Sequence, residues 1–161
     1  MNTVKNLFKR MAEGDWEQKI NASDALANLV LKDIVSPLIA LLKSPDTDIR
    51  NASALTLREI GNNSAVEPLF DAINNPANRS DRSTLVYALE RLDCSRHFLE
   101  IVELALSQKA DVHMSAMNIL MRQGFYMSNS DVKKAISMLK KTKGKTQDYE
   151  LIGNYLKSLQ N

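Results

Sequence analysis

Few side chains in this sequence have the chemistry of catalysis. Cys94 and His97 stand three apart in the run Asp93-Cys94-Ser95-Arg96-His97, a spacing that can bring a thiol and an imidazole together as a thiolate pair. The run falls at a turn between two helical patterns, so capping and packing account for it better. The other histidine is His113. No His-Glu pair and no repeated Cys/His spacing supplies metal ligands, and no glycine-rich loop cradles a phosphate. The residues thus offer no catalytic constellation, no metal site and no cofactor site, and a non-enzymatic role is expected. Six lysines crowd residues 133–145, KKAISMLKKTKGK. Such a cluster can hold phosphate, a membrane surface or RNA. No aromatic residue alternates with them to stack bases, and Lys133, Lys134, Lys140 and Lys141 suit the solvated side of an amphipathic helix.

The elements that must carry these residues are set by composition and periodicity. The chain has 161 residues, 44% of them hydrophobic, and a net charge of +2. That apolar share excludes wholesale disorder, and so small a net charge selects no partner class. The distribution is less even. Residues 51–110 carry two more acidic than basic side chains, and residues 111–161 carry four more basic than acidic. The single cysteine cannot close an internal disulfide, which fits a reducing compartment. The first residues lack the apolar stretch of a signal peptide, and no apolar run approaches membrane length. A cytoplasmic location is expected.

A repeat runs along the chain. In residues 46–76, Ile49, Ala52, Leu57 and Ile60 recur at helical spacing, Gly61 offers a left-handed helix stop, and Val66, Leu69, Phe70 and Ile73 form a second apolar face. Ser64 is expected to cap that second helix with Glu67 as its capping-box partner. Leu26, Leu57, Leu89 and Leu120 lie 31, 32 and 31 residues apart. Leu29, Ile60 and Leu92 repeat likewise, with Gln123 in the fourth place and Val30 and Asp93 where Gly61 would recur. Lys19, Arg50, Arg82 and His113 share the spacing and put a basic or titratable group at the start of each first helix. Val35, Val66 and Phe98 match in the second helices, as do Pro37 and Pro68. These matches give four helix pairs, at about 15–45, 46–76, 79–109 and 110–142. A cap (1–14) precedes them and a cap helix (146–161) follows, all in a single domain 1–161.

The residues Asp48-Ile49-Arg50, Ala54, Leu57, Ile60, Gly61, Ala65-Val66, Pro68-Leu69 and Ile73 resemble the HEAT repeat family, in particular its short bacterial form found in phycobilin-lyase-like repeats. The resemblance implies an all-α, right-handed α-solenoid of about four helix pairs with capping helices at both ends. It also implies that the second helix of each pair lines a concave face, and that pairs such as Asp48 with Arg50 and Asp81 with Arg82 link neighbouring repeats. A bilin-lyase activity would need a chromophore cleft, which the residues do not locate.

On those second helices the wheel turns Ser36, Ala40 and Lys43 outward, then Glu67, Asp71 and Asn74, then Leu99, Glu103 and Leu106 with Glu100 beside them, then Lys133, Ser137 and Lys140. The candidate partner-binding residues are therefore Glu67, Asp71, Asn74, Glu100, Glu103, Lys133 and Lys140, a face that is acidic in the middle and basic toward the C-terminus. Trp16 is expected to cover the junction between the N-terminal cap and the first pair. The methionines of residues 114–127 are expected in the core of the fourth pair. The leading reading is a non-catalytic module that holds one folded protein partner. Resemblance and size imply a bacterial immunity protein that neutralises a cognate toxin domain. The alternative is a nucleic-acid-binding protein using the basic C-terminal region with Arg79, Arg82 and Arg96. No membrane and no small-molecule substrate is indicated.

Overall fold

The computed structural model describes residues 2–29, 34–143 and 148–160. Val30 and Lys145 lie outside the described residues. Among the described residues regular structure is helical throughout. The backbone divides into two compact units, Met1–Leu92 and Asp93–Asn161.

The first unit holds α1 (Asn2–Glu13), α2 (Trp16–Asn28), α3 (Val35–Leu41), α4 (Thr47–Ile60), α5 (Val66–Asn74) and α6 (Ser83–Leu89). The first helices of the pairs pack in a row, α2 on α4 and α4 on α6, while α3 packs on α4 and α5 on α6. The cap helix α1 closes the row against α2 and α4 with Leu7 and Met11 buried. Leu26, Leu57 and Leu89 are fully buried in this row. Two buried hydroxyl links set its register. Ser23 Oγ lies 2.6 Å from Thr56 Oγ1 across α2 and α4, and Ser53 donates to the Leu38 carbonyl across α4 and α3.

Sequence signals place some of the starts and stops. Asp15 caps α2 in a capping box with Gln18. Asp46 caps α4 by accepting from the Asp48 and Ile49 amides, and those bonds, the Ile49 amide foremost, hold its carboxyl below the usual range. Gly61 ends α4 at φ +70°, where a Cβ would be strained. Ser64 does not cap α5. A 3-10 turn over Asn63–Ala65 intervenes, and Asn62 accepts from the Ser64 amide instead. Leu29 is also off its expected column. It stands one residue beyond the end of α2 and is 37% exposed.

Three of the four residues in the basic column, Lys19, Arg50 and His113, are buried, and the role of Arg50 differs from the expected inter-repeat ion pairing. Arg50 is 5% exposed and sends Nη1 to the carbonyls of Ser44 and Pro45 and Nη2 to Thr47 Oγ1. It thereby closes the turn between α3 and α4. Lys19, 6% exposed, reaches Asp46 Oδ2 at 3.5 Å, so here a charge does join one pair to the next. A second such link is Glu59, which accepts from Arg58 at 2.6 Å and from Arg91, while Arg58 lies 4.2 Å over the Tyr87 ring.

The second unit holds α7 (Phe98–Ala105), α8 (Ala110–Arg122), α9 (Asn129–Lys141) and α10 (Tyr149–Ser158). Helix α7 packs on α8 and α9, and α9 on α10. Ile101, Val102, Val112, Ala116, Leu120, Ile152 and Leu156 are buried. Ser128 caps α9 in a capping box with Asp131. The polar Gln123 in the apolar column is explained by its position just past α8. Its Oε1 accepts from the Cys94 amide at 2.9 Å, which ties the chain before α7 to the end of α8. Both units are helix-pair structures of the α-solenoid class.

Candidate binding faces

In the first unit the exposed second-helix face is built by α3 and α5. The short apolar runs of these helices bury Val35, Leu38, Val66, Leu69, Phe70 and Ile73. A 3.6-residue period then forces Ser36, Ala40, Glu67, Asp71 and Asn74 outward, and each is exposed. Glu67, Asp71 and Asn74 form one stripe along α5. A groove of 330 Å³ separates α3 from α5, floored by Ile39, Leu42, Pro68 and Ala72, with Lys43 and Asp71 on its walls. The face therefore carries charges of both signs beside an apolar floor.

The same face extends to α1, which sequence reasoning treated only as a cap. A larger groove of 870 Å³ lies between α1 and α3, lined by Lys5, Phe8, Lys9, Ala12, Pro37 and Leu41 among others. Lys9 is 3.8 Å from Glu13. Lys5, Lys9 and Glu13 share, at i, i+4 spacing, the side of α1 away from Leu7 and Met11, which marks an exposed charged flank but not the groove against α3.

In the second unit Glu100 and Glu103 are exposed on α7, and Lys133, Ser137 and Lys140 on α9. His97 Nδ1 is 3.6 Å from Glu100. Lys140 lines a 470 Å³ groove between α9 and α10, with Ile136, Tyr149, Glu150, Asn154 and Lys157. Lys134 is 3.3 Å from Asp131, whose carboxyl is held below its usual range chiefly by the Ser128 hydroxyl. Leu106 is not outward. Helix α7 ends at Ala105, so the wheel stops applying there, and Leu106 is 8% exposed. Leu99 is half-buried. The pair therefore forms no exposed apolar anchor.

The remaining candidates also resolve. Cys94 is fully buried, and burial pushes its thiol up to about 12. At pH 8 its thiolate fraction is then about a thousandfold below that of an ordinary cysteine. Ellman's reagent should accordingly label the native chain at least that much more slowly than the urea-unfolded chain. Equal rates would place the thiol outside the core. Among the described residues no three His, Cys, Asp or Glu side chains cluster to hold a metal ion, and no helix is long and apolar enough to cross a membrane. Trp16, at the start of α2, is 48% exposed. Met114 and Met121 are exposed on α8, while Met117 is buried.

A family model described as HEAT repeats matches residues 4–90, more than half of the chain. A search of curated proteins gave no match.

Proposed function

The chain belongs to the HEAT repeat family, and from that premise we propose that it is a non-catalytic module that holds one folded protein partner on its second-helix faces. HEAT repeats are commonly protein-interaction modules, which fits a general binding role. The observation that carries the reading is the α5 stripe. Glu67, Asp71 and Asn74 are exposed on a regular helix, beside a groove whose apolar floor lies between Lys43 and Asp71. Such mixed surfaces give specificity and fast encounter. In the second unit Glu100, Glu103, Lys133 and Lys140 offer charges of both signs in the same way. The finer reading, a bacterial immunity protein holding a toxin domain in the cytoplasm, rests on resemblance and on size. Four helix pairs suit a dedicated one-partner binder better than a general scaffold.

The test is capture of the partner from lysate of the native source, with a nuclease-treated control, followed by charge reversal. One stoichiometric protein should survive nuclease and moderate salt. Glu67→Lys with Asp71→Lys should leave thermal unfolding within about 2 °C, since both side chains are exposed. It should weaken binding of the captured protein at least about tenfold, because like charges then face one another. Recovery of nucleic acid alone, lost as salt rises, would instead favour the exposed α9 lysines. Unfolding of the double variant would sink the assignment of the face.

A further inference from the structure

Helix α8 buries one face and exposes Asp111, Met114, Met121 and Arg122 on the other. Val112, Ala116, Ile119 and Leu120 are buried with His113 and Ser115, whereas Met114 is 62% exposed and Met121 40%. At 100° per residue, Asp111, Met114, Asn118, Met121 and Arg122 share about a third of the helix circumference. The methionines lie on one flank of that stripe and the two charges on the other. Among the described residues neither Asp111 nor Arg122 makes an ion pair. Each charge suits its own end of the helix dipole, but the dipole does not account for two bare methionines between them.

The stripe complements itself in one orientation only. Turned about a two-fold axis at the height of residue 117, an antiparallel copy sets Met114 against Met121 of its partner, and Asp111 against the partner's Arg122. The axis keeps like flanks together, so methionines meet methionines and charges meet opposite charges. A parallel copy would exchange the flanks, setting methionines against charges and like charges at equal height. Methionine side chains adapt readily to an apolar partner, and an isologous contact of this kind closes into a dimer rather than a filament. We propose that the occupant of this face is a second copy of the chain, paired antiparallel through α8. One helix face is at the small end of specific interfaces, so the dimer is weak, with a dissociation constant on the order of 100 µM.

Sedimentation of the full chain from about 10 µM to about 1 mM brackets that value. The mass should rise from 18.1 kDa toward twice that figure. Met114→Lys, at an exposed position, should raise the dissociation constant at least about tenfold. Asp111→Arg alone should weaken the dimer, and adding Arg122→Asp should restore it to within about threefold, since the charges are then exchanged across the axis. Circular dichroism checks that each variant is helical. Asn118→Cys places a thiol near the axis and should form oxidative cross-links where Ser137→Cys, exposed on α9, does not. That readout stands if the exchanged-charge variant fails to fold. A chain still monomeric at about 1 mM overturns the proposal. So does a dimer indifferent to Met114→Lys, or one that cross-links equally well through either cysteine.

Discussion

Replacing Arg50 with leucine should destabilise the chain by about 3 kcal/mol, a large effect for a side chain outside the apolar core. Arg50 is 5% exposed and its guanidinium satisfies two carbonyls and one hydroxyl at 2.8–2.9 Å. A hydrogen bond to a charged group contributes about 1.5–3 kcal/mol, and leucine leaves the Ser44 and Pro45 carbonyls without that donor. Lysine keeps the charge but not the planar fork, so Arg50→Lys should lose about half as much. The informative control is Arg82→Leu. Arg82 holds the same repeat position but is only partly buried, and its loss should cost under about 1 kcal/mol. Urea denaturation of the three variants decides the matter. Equal losses at Arg50 and Arg82 would mean that the repeat position itself, and not the turn carbonyls, sets the cost.

That contrast marks where sequence reading succeeds and where it stops. Periodicity located the interior because burial is what creates periodicity. Leu26, Leu57, Leu89 and Leu120 are all fully buried, and Gly61 takes the left-handed angle that its place in the repeat demands. The spacing of Lys19, Arg50, Arg82 and His113 showed that one position does a common job. It could not show the job, because two of the three acceptors of Arg50 are backbone carbonyls, which leave no trace in residue identity. Helix ends failed for a related reason. The inserted 3-10 turn moved the cap from Ser64 to Asn62, and the end of α7 at Ala105 turned Leu106 inward. Each is a local backbone choice to which a wheel is blind. The outward charges Glu67, Asp71, Glu103, Lys133 and Lys140 were legible, since they are what an apolar face leaves over. The groove between α1 and α3 was not, because it depends on how two helices distant in the repeat scheme approach each other.

His113→Ala should cost about 3 kcal/mol and should loosen α10 before the rest of the second unit. The ring is 2% exposed, so truncation combines a cavity with the loss of two bonds. Nδ1 meets the Ala105 carbonyl at 2.6 Å, at the C-terminus of α7. A carbonyl only accepts, so this nitrogen donates, and the bond repeats for α7 what Arg50 does for the turn after α3. Nε2 meets Asp148 Oδ2 at 3.0 Å, and since a carboxylate likewise only accepts, this nitrogen donates too. Asp148 stands immediately before α10 with φ +53°, a left-handed angle that costs a residue with a Cβ about 1 kcal/mol. The His113 bond offsets that strain and so fixes the start of α10. Two substitutions separate the terms. Asp148→Ala loses the bond and keeps the strain, while Asp148→Gly loses the bond and relieves the strain. The glycine variant should therefore be the more stable by about 1 kcal/mol. Hydrogen exchange should show the α10 amides opening fastest in His113→Ala, less in Asp148→Ala and least in Asp148→Gly. Uniform opening of α8, α9 and α10 in His113→Ala would assign the histidine to the core of the unit rather than to the docking of its last helix.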